Sequence, residues 1–150
     1  MKTYKVAIIG CGRIAEHNCR AIVKTIGLEL VSVCDLELKK ANAYRDEFGC
    51  AAFTNYHTML TEISDIDIVA IITPSGMHFE HGLDIMESYN KHIIVEKPTF
   101  MNPFQLEKAY KVADKLGLKI FPIFQNRYNR AVQRVKLALE NQELGVIRII

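Results

Sequence analysis

The stretch Lys5-Val6-Ala7-Ile8-Ile9-Gly10-Cys11-Gly12-Arg13-Ile14-Ala15 decides the fold. Lys5 to Ile9 is a short apolar run of a strand's length. Gly10-x-Gly12-x-x-Ala15 follows it directly. Beyond the glycines, Ala15, Asn18, Cys19, Ile22 and Ile26 share one face of a helix expected to start near Arg13. A strand, a glycine turn and a helix in that order form a dinucleotide-binding fingerprint. Gly10 allows the tight turn, Gly12 leaves room for a pyrophosphate to approach the backbone, and Ala15 lets helix pack closely on strand. The free N–H groups and dipole at the helix N-terminus favour that anion. Gly10, Gly12, Arg13 and Ile14 are therefore the first candidate cofactor contacts. The competing reading is a tight turn that holds nothing.

Outward from this stretch the chain alternates. Further strands are expected at Leu28 to Cys34, Ile66 to Ile72, His92 to Val95 and Leu118 to Phe121. Most are apolar on both faces, as parallel strands covered by helices on each side must be. Between them lie helical patterns. Leu38, Ala41, Tyr44 and Phe48 mark one, with Gly49 as terminator. Ser75 is the expected N-cap of another that runs to about Tyr89. Asn102, Pro103 and Gln105 read as cap, first-turn proline and capping-box partner of a third, whose face is Leu106, Ala109, Tyr110, Ala113 and Leu116 and which Gly117 ends. This rhythm predicts an α/β fold, a Rossmann-type doubly wound and mainly parallel sheet.

After Phe121 the rhythm changes. Tyr128, Val132, Val135 and Leu139 mark one more helical face that ends near Gly145, and Val146 to Ile150 reads as a strand within which the chain stops. The expectation is a dinucleotide-binding domain over residues 1–122. Residues 123–150 would be the linker, helix and first strand of a truncated second domain.

Composition narrows the function classes. The 150 residues carry 19 Lys and Arg against 17 Asp and Glu, and 49% are hydrophobic. Disorder is excluded as the main description, and the near-neutral charge argues against a nucleic-acid coat. The longest uncharged run, Ile68 to Phe79, is too short for a bilayer and contains Pro74 and Gly76. There is no signal-peptide pattern at the N-terminus. Cys11, Cys19, Cys34 and Cys50 form no CxxC pair, which points to reduced, buried thiols and a cytoplasmic setting.

Three more features carry chemistry. Asp35 ends the second expected strand, about 20 residues past the glycines, where a carboxylate accepts hydrogen bonds from ribose hydroxyls and repels a 2′-phosphate. That favours NAD over NADP, although Lys39 and Lys40 stand nearby, and Asp35 could also cap the segment beginning at Leu36. Thr73-Pro74-Ser75 lies at the carboxyl end of a strand, where ligands of open α/β sheets bind; a plain loop is the alternative. Glu96-Lys97-Pro98 follows the His92 to Val95 strand. A lysine there can hydrogen-bond a substrate hydroxyl and stabilise an alkoxide. On the residues alone a surface Glu–Lys pair is the favoured reading.

With these motifs in order, the whole chain resembles the Gfo/Idh/MocA family of NAD(P)-dependent oxidoreductases. The resemblance rests on Gly10 to Ala15, Asp35, Thr73-Pro74-Ser75-Gly76-Met77-His78 and Glu96-Lys97-Pro98. It implies that Lys97 is the catalytic lysine, that the Lys97–Pro98 bond is cis, and that Glu96 lies beside the nicotinamide. Thr73, Pro74 and His78 would lie on the cofactor side. Gln125-Asn126-Arg127-Tyr128-Asn129 is similar to a segment of UDP-N-acetylglucosaminuronate 3-dehydrogenases. By that resemblance Gln125 touches the cofactor, while Asn126 and Arg127, with Lys97, touch the substrate; a polar domain linker is the bland alternative. Six basic residues against two acidic ones from Lys119 to Arg148 suit an anionic sugar nucleotide. Members of that family usually carry a general-base histidine in a second domain and often form homo-oligomers through its sheet.

His17, His57, His78, His81 and His92 all fall in the first expected domain, so none replaces that base. His78 and His81 read as packing or surface residues, and no metal site is expected. The resulting expectation is the NAD-binding domain of a sugar, cyclitol or sugar-nucleotide dehydrogenase, inactive by itself. Its alternative is a non-catalytic module that senses NAD or NADH, which would need no lysine at position 97. No nucleic-acid or membrane partner is expected.

Overall fold

The computed structural model describes residues 2–146 and residue 148. Among these residues, six strands form one sheet: β1 (Tyr4–Ile9), β2 (Leu28–Cys34), β3 (Ala51–Phe53), β4 (Ile68–Ile71), β5 (His92–Val95) and β6 (Ile120–Pro122). All pairings are parallel and the spatial order is β3-β2-β1-β4-β5-β6. The chain winds outward from β1 in one direction and then from β4 in the other. The crevice over the carboxyl ends of β1 and β4 is therefore the topological switch point, where ligands of such sheets bind.

Helices α1 (Ala15–Lys24) and α2 (Leu38–Phe48) cover one face, and α3 (Tyr56–Glu62), α4 (His78–Tyr89) and α5 (Pro103–Leu116) the other. Strand alternation explains the division. Val6 and Ile8 pack with Ala15, Cys19, Ile22 and Ala41, while Ala7 and Ile9 pack with Met59, Leu60, Ile85, Met86, Ala109 and Ala113. Burying each Val or Ile side chain contributes about 1.5–3 kcal/mol, and both faces of the central strands are used.

The expected helix ends are largely as read. Asn102 Oδ1 accepts from Gln105 N at 2.9 Å, and Gln105 Oε1 accepts from Met101 N at 2.9 Å. Gly49 and Gly117 close α2 and α5 with φ of 70° and 69°.

Other expectations need correction. α1 begins at Ala15, not near Arg13, because the fingerprint first makes a turn in which Ala15 N donates to Gly12 O. Ser75 makes no side-chain cap; Ser75–Met77 is a 3₁₀ turn and α4 starts at His78. β4 and β6 are shorter than, or offset from, the expected Ile66 to Ile72 and Leu118 to Phe121. β3 and α3 were not expected at all. β3 has only three residues and owes its existence to pairing with β2, while the one local signal for α3 is Asn55, whose Oδ1 accepts from His57 N and Thr58 N.

The last helix, α6 (Arg130–Glu140), is capped by Asn129. Tyr128 precedes it, in a 3₁₀ turn over Gln125–Tyr128, and is 82% exposed. Val132, Val135 and Leu139 are about half exposed, so this face is not the buried stripe its spacing suggests. The expected strand Val146 to Ile150 lies outside the described residues apart from Val146 and Arg148, neither of which is in a strand. The 1–122 and 123–150 division remains an expectation.

Candidate functional site

The fingerprint glycines do different work. Gly10 has φ +97°, and a Cβ built on it would lie 2.6 Å from Ile72 O and 2.9 Å from Thr73 N. The end of β1 thus passes against the backbone leaving β4, which only glycine permits. A Cβ on Gly12 would meet nothing within 4 Å, leaving the open approach that a pyrophosphate needs. No side chain caps the N-terminus of α1; Ala15 N is taken by Gly12 O, and the first-turn N–H groups that follow it are left to an anion. Tyr44, which sequence spacing marked only as a helix-face residue, steadies the turn by donating its hydroxyl to Gly12 O at 3.0 Å.

Asp35 is held from two sides. Its Oδ2 accepts from Cys11 N at 2.8 Å and its Oδ1 from Glu37 N at 2.9 Å. It therefore joins the glycine turn to the β2–α2 turn. The N-cap position of α2 is Glu37, so Asp35 caps the preceding turn, not the helix itself.

A cleft of about 710 Å³ opens at the switch point. Of the expected residues, Gly10, Gly12, Asp35, Thr73 and Pro74 line it. Arg13 and Ile14 do not; they are exposed beside it, where the chain enters α1. Lys40, which the sequence left equivalent to Lys39, is also in the lining, as are Glu37, Tyr56, His57 and His81, which sequence reasoning did not place there. Tyr56 and His57 depend on α3, for which the sequence held little signal.

The histidine pair divides. His81 faces the cleft, with Nδ1 3.1 Å from Thr73 Oγ1, and burial holds its pKa below the ordinary value. His78 lies beneath, 1% exposed. Its Nε2 is 2.8 Å from Thr73 O and its Nδ1 2.9 Å from Pro98 O, so it ties two ligand-side loops together instead of lining the cleft. Among the described residues no group of three or more His, Cys, Asp and Glu side chains could hold a metal.

A second hollow of about 490 Å³ is lined by Lys97, Phe124, Gln125, Asn126 and Arg127. Sequence positions 97 and 125–127 thus come together at the carboxyl end of β5. The Lys97–Pro98 bond is cis. Glu96 is buried beside them, its Oε2 accepting from Lys97 N at 2.9 Å and its Oε1 3.4 Å from Asn18 Nδ2 on α1. Asn18 is a further contact that helical spacing concealed, because its partner is 78 residues away.

The four cysteines are free and buried. Burial, first, pushes the Cys11 and Cys19 thiols up to about 12 and Cys34 to about 11. Cys11, within the fingerprint, is therefore a packing group and not a nucleophile.

Residues 4–124 match the Gfo/Idh/MocA family, described as an oxidoreductase family with an NAD-binding Rossmann fold. The chain belongs to that family. It is 33% identical over 147 residues to D-glucoside 3-dehydrogenase of Escherichia coli, a match covering 97% of this chain and 41% of the relative. Among solved structures, the WlbA dehydrogenase of Chromobacterium violaceum in complex with NADH and UDP-GlcNAcA superposes with a TM-score of 0.86. It is 31% identical over 97% of this chain and 42% of that one. A 3-ketoreductase from Actinomadura kijaniata, in complex with TDP-benzene and NADP, superposes with a TM-score of 0.89 at 26% identity, covering 98% and 45%. The chain thus spans about two fifths of the length of the relatives it matches. Among the described residues no helix is long and apolar enough to cross a membrane.

Proposed function

We propose that the chain is the NAD-binding part of a dehydrogenase that oxidises a hydroxyl of a sugar or sugar nucleotide. The observation that carries the reading is the meeting of Lys97, Gln125, Asn126 and Arg127 in one hollow, backed by the buried Glu96, at the strand ends next to the Gly10–Gly12 cleft. The relative named D-glucoside 3-dehydrogenase, and the neighbour solved with UDP-GlcNAcA, support the substrate class. A cyclitol is the nearest competitor, since inositol 2-dehydrogenases are also relatives, at 26% identity.

The residues present fit a dinucleotide. The open side of Gly12 and the uncapped N-terminus of α1 would hold the pyrophosphate, and Asp35 would accept from the adenosine ribose hydroxyls. Thr73 and Pro74 would border the central part, and Glu96 and Gln125 the nicotinamide end. Bound there, the nicotinamide supplies a hydride acceptor at C4. Lys97, exposed at the hollow, donates a hydrogen bond to the substrate hydroxyl oxygen and stabilises the alkoxide as the carbinol C–H hydride departs. The hydroxyl proton goes to a general base outside the described residues. Asn126 and Arg127 orient the substrate, and the Arg127 guanidinium, 5.4 Å from the Phe124 ring centroid, offers a cation to an acidic or phosphorylated sugar.

The test has two arms. Titration with NADH is followed by cofactor fluorescence, which the absence of Trp leaves unobscured. Saturable binding, weakened about tenfold or more by Asp35→Ala, is expected. In the protein carrying its substrate-binding part, Lys97→Met lowers kcat by about 10²- to 10⁴-fold with a sugar substrate. Unchanged turnover in Lys97→Met would remove the assigned role.

A further inference from the structure

Cleft geometry separates two lysines that the sequence left equivalent. Lys40 lines the cleft wall beside Asp35, Leu36 and Glu37, whereas Lys39 is not part of the lining. Among the described residues, Lys40 is the only lysine or arginine that lines this cleft. Its ammonium is already engaged, with Nζ 2.6 Å from Glu37 Oε1. The Glu37 hydrogen bond, and with it the charge of Asp35, raises the Lys40 pKa, so both carboxylates act on the same cation. Glu37 also donates its backbone N–H to Asp35 Oδ1, which sets the two acidic side chains on one turn.

Resting on the NAD-binding reading above, we propose that Glu37 is a second selectivity residue, which excludes a 2′-phosphorylated cofactor by holding Lys40. A ribose bound at Asp35 would place its 2′ position between two carboxylates and one paired ammonium. A 2′-phosphate brings close to two negative charges, and it would meet a net negative wall whose one cation is taken. NAD brings hydroxyls there, which need only acceptors. An exposed pair such as Glu37–Lys40 contributes little to folding, so its effect lies in the local potential. Selectivity is then set by Asp35, Glu37 and Lys40 together, and the charge of Glu37 controls whether Lys40 helps or ignores a phosphate.

The test compares NADH and NADPH dissociation constants at low ionic strength for the unaltered protein, Glu37→Gln, Lys40→Met and the double variant. Glu37→Gln is expected to shift the NADPH-to-NADH preference toward NADPH by about three- to tenfold. That gain is absent in the double variant, because the freed ammonium carries it, and it shrinks in 0.5 M salt, a concentration that shortens the screening length to roughly 4 Å. Lys40→Met alone moves the preference further toward NADH. An unchanged ratio in Glu37→Gln overturns the proposal, as does an equal gain with and without Lys40. Failure of the unaltered protein to bind either nucleotide overturns the NAD-binding reading itself, and this inference with it.

Discussion

Alanine at Gly10 and alanine at Gly12 should fail for opposite reasons. At Gly10 the backbone has φ +97°, a conformation that costs a residue with a Cβ about 1–3 kcal/mol. The new Cβ would also sit 2.6 Å from Ile72 O and 2.7 Å from Ile72 C, against backbone that cannot rotate away. Forcing β1 and β4 apart at this point is an overpacking error of about 1–3 kcal/mol. The sum centres near 4 kcal/mol, a large share of a typical domain stability of about 5–15 kcal/mol. With a urea slope near 2 kcal/mol/M, the unfolding midpoint should fall by about 2 M. At Gly12 the added Cβ meets nothing within 4 Å and no left-handed φ is required. Gly12→Ala should therefore unfold within about 1 kcal/mol of the unaltered protein. Its methyl group instead occupies the approach of the pyrophosphate and should weaken NADH binding about tenfold or more. Urea unfolding by circular dichroism and NADH titration on both variants give a crossed result. A Gly10→Ala midpoint within about 0.3 M of the unaltered protein would refute the close-approach argument. Full NADH affinity in Gly12→Ala would refute the cradle.

Three further outcomes are expected. The four thiols should be silent to a thiol reagent at pH 8 in the native protein and all react in denaturant, because they are buried with raised pKa values; rapid native labelling of Cys11 would contradict this. Burial lowers the His81 pKa from 6.5, so the unfolded chain takes up that proton more readily. Unfolding free energy should therefore fall as pH drops through about 6.5 toward the folded value, and His81→Gln should reduce that slope; an unaltered pH profile would argue against it. Asn102→Ala removes the acceptor for Gln105 N and should cost about 1 kcal/mol of stability in urea unfolding, with no change in NADH affinity.

The parts of the fold that the sequence disclosed are those with local causes. The β1–glycine–α1 stretch, the Asn102 cap and the Gly49 and Gly117 ends each depend on a few neighbouring residues, and the structure keeps them. β3 could not be read, because three residues hold together as a strand only through β2. The Val31 bulge was equally hidden. It arises where Val6 lies opposite Leu30 while Ala7 lies opposite Ser32, which is a property of the pair and not of either strand.

In the site, the sequence by itself determined the chemistry available: glycines that admit an anion, a carboxylate for a ribose, and a lysine at the end of a strand. These are residue types at fixed separations, and separation along the chain is what a sequence records. Tertiary structure decided which of these groups meet. Lys97 gained Gln125, Asn126 and Arg127 as neighbours, and Glu96 gained Asn18. His81, not His78, came to face the cleft, and Lys40, not Lys39, entered its wall. Each of these choices turns on the side chain's direction from a helix or loop, set by how that element packs on the sheet. Packing of that kind is a balance among contacts distant in sequence, so residue order alone does not contain the answer in any local stretch.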